Sequence, residues 1–325
     1  MQLGDLKKAM KGVDIVQTTP FNKDGSLDIE GMRANTRWLL ERTVGKDFIF
    51  TPLGSTGEFY NMSDDECKAV IKMVVEEVKG KNVIITGGVG RPSTHETIKM
   101  CQYAESVGAD GVQVILPYYM VPTEEGMYQH YKQIAESVNI GILIYNFPGP
   151  TGSWIKPPLM ARLSKIPNII AVKENTSSVF SYYAMRKAVD PEDTVILCGL
   201  AELMFTFEAR YGCPGFVSGM ANFAPDLSYS VYEGVIAGDS NKVDEIINSM
   251  APYSSFGGKV TANHGPHTGV GLAGGTMGFS MLKASMDIIG LRGGEVRLPL
   301  VGLNDEEKAE LRDVLRAMKL HVEPL

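Results

Sequence analysis

Cysteine is scarce: the 325 residues hold four, at 67, 101, 198 and 213, and no two stand in C-x-x-C spacing. That argues against a disulfide framework or a zinc ribbon and suits a reducing compartment, with the thiols read as small buried apolar groups. Basic clusters are missing as well. No Lys/Arg run exceeds a pair such as Lys7-Lys8 and the formal net charge is −7, so no footprint for nucleic acid is present. No stretch approaches the roughly 20 apolar residues that span a bilayer, and the N-terminal residues lack the apolar core of a secretion signal. The expectation is a cytoplasmic protein with neither a membrane nor a nucleic-acid partner. Long polar tracts are absent too, and 44% hydrophobic against 21% charged residues is the balance of a globular protein.

What the chain does have is rhythm. Short β-branched runs, at 13–19, 47–51, 83–87, 111–116, 141–145, 169–173, 194–198 and 215–218, are bounded by Gly, Pro, Asn or Asp and alternate with longer amphipathic stretches. Eight such units predict an α/β fold, a closed (β/α)8 TIM barrel over residues 1–239. Ser63-x-x-Glu66 and Ser93-x-x-Glu96 read as capping boxes, Thr123 as a further helix start, and 28–42 as a helix. Helices are also predicted at 225–238, 241–253, 280–290 and 305–320. These exceed what a barrel needs, so 240–325 is expected to form a C-terminal helical appendage. Inside it, 254–278 is Gly-rich and nearly uncharged, which predicts an irregular loop.

Reactive groups of such barrels sit at the carboxyl ends of the strands. Lys173 ends the apolar run Ile169-Ile170-Ala171-Val172, and strand periodicity puts Ile169, Ala171 and Lys173 on one face. A lysine desolvated near a barrel mouth shifts toward the neutral amine, which can attack a ketone; a lysine whose stem merely snorkels to solvent is the structural alternative. Gly54-Ser55-Thr56-Gly57-Glu58 follows the second strand, where backbone amides and two hydroxyls can converge on a carboxylate. Tyr145 closes the fifth strand as a candidate proton shuttle, and Tyr118-Tyr119 leaves the fourth. His264-Gly265-Pro266-His267 does not read as a metal site, because Gly and Pro break the helix that usually presents paired histidines. No metal or cofactor is expected.

Together these residues resemble the dihydrodipicolinate synthase/N-acetylneuraminate lyase family of class I aldolases, from about Gly12 to Leu320. The resemblance implies that Lys173 forms an imine with a 2-oxo acid, that the 54–57 loop with Gly54, Ser55, Thr56 and Gly57 holds its carboxylate, and that Tyr145 transfers protons. It implies further that Tyr119 completes a proton relay across a subunit contact, in a homotetramer built as a dimer of dimers. The run Gly212-Cys213-Pro214-Gly215-Phe216-Val217-Ser218 matches the family's strand-eight segment, which turns the Val217 carbonyl toward the lysine.

Two departures bear on substrate. Members that condense pyruvate with aspartate semialdehyde carry an arginine two residues after Tyr-Asn-x-Pro, where a guanidinium can grip a carboxylate bidentately; this chain has Gly149-Pro150. The sialic acid lyases carry Gly-Tyr-Asp-Glu after strand seven; here Gly199-Leu200-Ala201-Glu202 leaves Glu202 alone to bind a polyol. The expectation is therefore a cofactor-independent Schiff-base lyase, an aldolase or dehydratase, acting on pyruvate or a related 2-oxo acid and in particular on a 2-oxo-3-deoxy sugar acid. The alternatives are dihydrodipicolinate synthesis itself, or a barrel that binds a 2-oxo acid without catalysis.

Overall fold

The computed structural model describes residues 1–264 and 277–324. Eight parallel strands close on themselves in sequence order: β1 (Gly12–Val16), β2 (Phe48–Thr51), β3 (Val83–Thr86), β4 (Gly111–Ile115), β5 (Gly141–Asn146), β6 (Ile169–Glu174), β7 (Val195–Cys198) and β8 (Gly215–Ser218), with β1 paired to both β2 and β8. Every strand is nearly continuous in apolar residues because both of its faces are buried, one against the helices and one inside the barrel. Leu6 and Met10, from the helix Leu3–Ala9 and its end, pack with Ile49, Val83, Ile85, Leu143, Ala171 and Leu197 and plug the amino-terminal end of the barrel. The carboxyl end stays open.

Local signals explain most helix starts. Ser63 and Glu66 form the reciprocal capping box ahead of Asp64–Val78, Thr123 accepts from the Gly126 amide, and Asp28 accepts from the Gly31 amide to start Ile29–Thr43. Ser93 does not cap Thr94–Val107: its carbonyl accepts from the Thr97 hydroxyl and Glu96 turns outward to Lys99. In β6 the strict alternation also fails. The pairing with β5 slips between Ile142 and Leu143, so Ile169 belongs to the outer cluster while Ile170 joins Ala171 in the inner one. The extra residue is a bulge, which re-aims the side chains beyond it.

Beyond the helix Pro225–Ala237 come the helices Ser240–Asn263, Met277–Ile288 and Asp305–Ala317. Residues 254–263 and 277–278, expected as irregular loop, are helical. Phe256, Gly257 and Val260 are buried on one side of that helix, and Gly257 lies against Met281 of the next, so packing outweighs the poor helix propensity of two adjacent glycines. The rest of the Gly-rich run, with Gly265, Pro266 and His267, lies outside the described residues. All four cysteines are buried free thiols, and among the described residues no helix is long and apolar enough to cross a membrane. Leu6→Ala should cost about 2–5 kcal/mol by opening a cavity in the plug, measurable as a lower denaturant midpoint with unchanged slope.

Candidate active site

The carboxyl ends of the strands surround a cavity of about 500 Å3 lined by Ser55, Thr56, Tyr145, Lys173, Glu202 and Val217, with Asn175 and Tyr253 beside them. A hollow of about 600 Å3 at the opposite end, among Lys11, Lys46 and Lys79, is larger, but it lacks a buried reactive group and lies on the face that serves stability in this architecture. The structure thus brings together six of the residues singled out from the sequence. Tyr119 is not among them: it is 84% exposed on the segment after β4.

Lys173 is only 4% exposed, its amine 4.1 Å from the centre of the Tyr145 ring. Burial pushes the amine down to about 8, while the carboxylate of Asp14 pulls the other way. A simple titration with that value leaves about a tenth of the amine neutral at pH 7, against well under a thousandth for an ordinary lysine. Tyr145 is stacked on Phe147 with ring centres 5.0 Å apart, and burial drives its phenol well above the usual range, partly offset by the Ser55 hydroxyl beside it. It is therefore a neutral hydroxyl at pH 7, able to donate a proton and take it back.

The strand ends are locked by two amide side chains. The Asn146 amide donates to Glu174 at 2.8 Å and to the Ile155 carbonyl at 3.1 Å, tying β5 to β6 one residue beyond the reactive pair. Asn175 donates to the Gly199 carbonyl at 3.0 Å, and a side chain at 199 would lie 1.7 Å from the Asn175 oxygen, so only glycine permits that approach. The 54–58 loop is held equally closely. A Cβ on Gly54 would lie 2.3 Å from Val16, and Glu58 takes a left-handed backbone with φ 55°.

Glu58 does not face the cavity. Its carboxylate accepts from Lys283 at 2.6 Å and from the Arg297 amide at 3.2 Å, with Lys283 1% and Glu58 0% exposed. A buried pair from the helix Met277–Ile288 therefore anchors the loop. Glu202 lines the cavity, but one of its oxygens already accepts from the Ser218 and Ser228 hydroxyls, both at 2.6 Å. His264 is engaged by Glu307 at 2.9 Å, and no metal-ligating cluster occurs among the described residues.

Sequence reasoning passed over Asp14, Asn175, and the contributions of Tyr253 and Leu282 to the cavity wall. Asp14 had a visible signal, a lone charge inside the β-branched run Val13-Asp14-Ile15-Val16. Tyr253 and Leu282 had none, because their helices are placed only by tertiary packing.

A (β/α)8 barrel with a desolvated lysine ending its sixth strand defines a lyase of the class I aldolase type. The comparisons with known proteins narrow that class. Residues 9–255 match the model of the dihydrodipicolinate synthetase family, and the chain belongs to that family. It is 32% identical over 310 residues to the 4-hydroxy-tetrahydrodipicolinate synthase of Methanothrix thermoacetophila, covering 95% of this chain and 97% of that one. It is 33% identical over 312 residues to the Methanococcus maripaludis enzyme of the same name, covering 96% and 99%. Among solved structures, dihydrodipicolinate synthase from Aquifex aeolicus superposes with a TM-score of 0.83 at 27% identity, covering 97% of this chain and 100% of that one.

The rate of amine attack on a 2-oxo acid should rise with pH and level off above about pH 8, since only the neutral amine reacts; stopped-flow measurement of imine formation checks this. Lys283→Met should cost about 3–5 kcal/mol and raise the KM for the 2-oxo acid, whereas Lys283→Met combined with Glu58→Gln should recover part of the stability, because a buried charge is costly chiefly when its partner is missing.

Proposed function

We propose that Lys173 forms an imine with pyruvate and that the resulting enamine condenses with an aldehyde, as in 4-hydroxy-tetrahydrodipicolinate synthesis. The observation that carries this reading is the buried amine of Lys173 facing Tyr145 across 4.1 Å at the open end of the barrel. Ser55, Thr56 and the amides of the 54–57 loop hold the carboxylate, the Val217 carbonyl faces the imine, and Tyr145 moves the protons. A prophage protein of the dihydrodipicolinic acid synthase family from E. coli K12, solved in complex with pyruvate, supports the choice of 2-oxo acid; it superposes with a TM-score of 0.83 at 27% identity over 96% of this chain and 99% of that one.

The curated relatives favour aspartate semialdehyde as the second substrate over the sugar-acid cleavage expected from the sequence. One feature favours a second reading, an aldehyde with no carboxylate. Gly149-Pro150 stand where a guanidinium was expected, and Phe147, Leu200, Met220, Phe279 and Leu282 supply apolar wall among the described residues. We further propose a cytoplasmic homotetramer in which Tyr119 reaches a neighbouring copy; its exposure beside Met120 and Val121 fits a contact surface.

The test is to incubate the protein with pyruvate, reduce with borohydride and map the modified peptide, which should carry the adduct on Lys173. Lys173→Ala should abolish turnover and Tyr145→Phe should slow it at least 100-fold, both with the fold intact by circular dichroism. Turnover of aspartate semialdehyde against a neutral aldehyde then separates the two readings.

A further inference from the structure

Within β1, Val13 and Ile15 join the outer cluster, so Gly12, Asp14 and Val16 turn into the barrel. Asp14 is 1% exposed, and neither carboxylate oxygen makes a hydrogen bond of normal geometry, the Thr51 hydroxyl bearing on it only loosely. It stands in register with Ile49 of β2 and Val217 of β8, and Val217 lines the active cavity. Thr51 and Gln113 also hold buried oxygens without partners. The inward positions of the eight strands carry two other groups that titrate, Lys173 and Tyr145; Glu174 and Cys198 occupy the alternate positions, facing the helices. A carboxylate buried without a partner is expensive and nothing in the packing calls for it. The cation that shares the inward face of the barrel with it is Lys173.

We propose that Asp14 is a positioning residue whose carboxylate serves as the counter-charge of the iminium formed on Lys173. The proposal rests on Lys173 being the imine-forming lysine. In that step the neutral amine adds to the ketone carbon, and the carbonyl oxygen takes one proton from nitrogen and one from the Tyr145 relay. It leaves as water, and nitrogen keeps one proton and a positive charge. Proton loss from the adjacent carbon neutralises that charge in the enamine, and addition to the aldehyde restores it. A fixed anion inside a closed, low-dielectric barrel stabilises both iminium states over the neutral enamine between them. Burial lifts the Asp14 carboxyl to about 6, against the pull of Thr51 and Lys173, so the counter-charge is present at neutral pH and lost by protonation below pH 6.

The experiment compares the wild type with Asp14→Asn, which keeps the shape and removes the charge. The expected result is a pH midpoint for imine formation about one unit lower, because the amine loses the anion that raised its affinity for protons, together with at least tenfold less borohydride-trapped adduct at saturating pyruvate. An unchanged pH midpoint and an unchanged trapped fraction overturn the proposal, including the case where only thermal stability falls. If Asp14→Asn does not fold, competitive labelling of Lys173 in the wild type carries the same test: the rate profile should show a second inflection near pH 6, and a single inflection refutes the coupling. Failure to trap any adduct on wild-type Lys173 would instead sink the reading of the lysine itself.

Discussion

The site depends on the removal of one ammonium group from water. A lysine free to reach solvent keeps its proton at neutral pH and cannot attack a ketone, whatever surrounds it. Here the closed barrel removes that route, since the neighbouring strands β5 and β7 flank Lys173 and the Leu6 plug seals the floor beneath. The bulge in β6 belongs to the same arrangement. By inserting Ile170 it resets the alternation so that Ala171 and Lys173 face the interior while Ile169 packs outward against the helices. The protein thus spends strand regularity to aim a single side chain.

Desolvation alone makes a reactive amine but not a selective one. Selectivity needs a fixed place for the carboxylate of the 2-oxo acid, and the 54–58 loop, proposed to supply it, is held from behind. Glu58 looks at first like part of the binding motif, yet its carboxylate is turned into the protein, where Lys283 and the Arg297 amide hold it. The loop is short and its left-handed residue is strained, so without this anchor it would relax. The C-terminal helices therefore act on the chemistry twice, by fixing the loop through Lys283 and by closing the cavity wall with Tyr253 and Leu282.

Much of this was legible in the sequence, and the reason is periodicity. All eight strands stand where the β-branched runs placed them, because a strand buried on both faces leaves an apolar signature that no helix masks. Lys173 and Tyr145 were singled out because they lie at strand ends, and Ser55 and Thr56 because they lie in the loop that follows one, positions the architecture itself marks; the structure brings all four to one cavity. The helix through residues 254–263 was not, since its glycines argue against helix locally and only the contacts of Phe256 and Val260 with distant elements argue for it. The ion pair of Glu58 with Lys283, 225 residues apart, is beyond any local pattern. Ser93 was misread for the opposite reason, as a sound local pattern that lost to the Thr97 hydroxyl.

Family membership and substrate choice are separable in this structure because different elements carry them. The residues proposed for imine chemistry lie on β5, β6 and the loop after β2, whose positions are fixed by backbone pairing, buried amides and a buried ion pair. The positions that bear on a second substrate in the resemblance lie elsewhere: Gly149 and Pro150 in the short helix Pro148–Thr151, and Leu200 and Ala201 at the start of the helix Ala201–Glu208. At Glu202, two serine hydroxyls occupy one of the oxygens, so its carboxyl group is part of the cavity wall rather than a freely adaptable contact. No guanidinium stands among the described residues of that wall, so a second substrate with a carboxylate, as the curated relatives favour, would need another donor than the arginine of the resemblance.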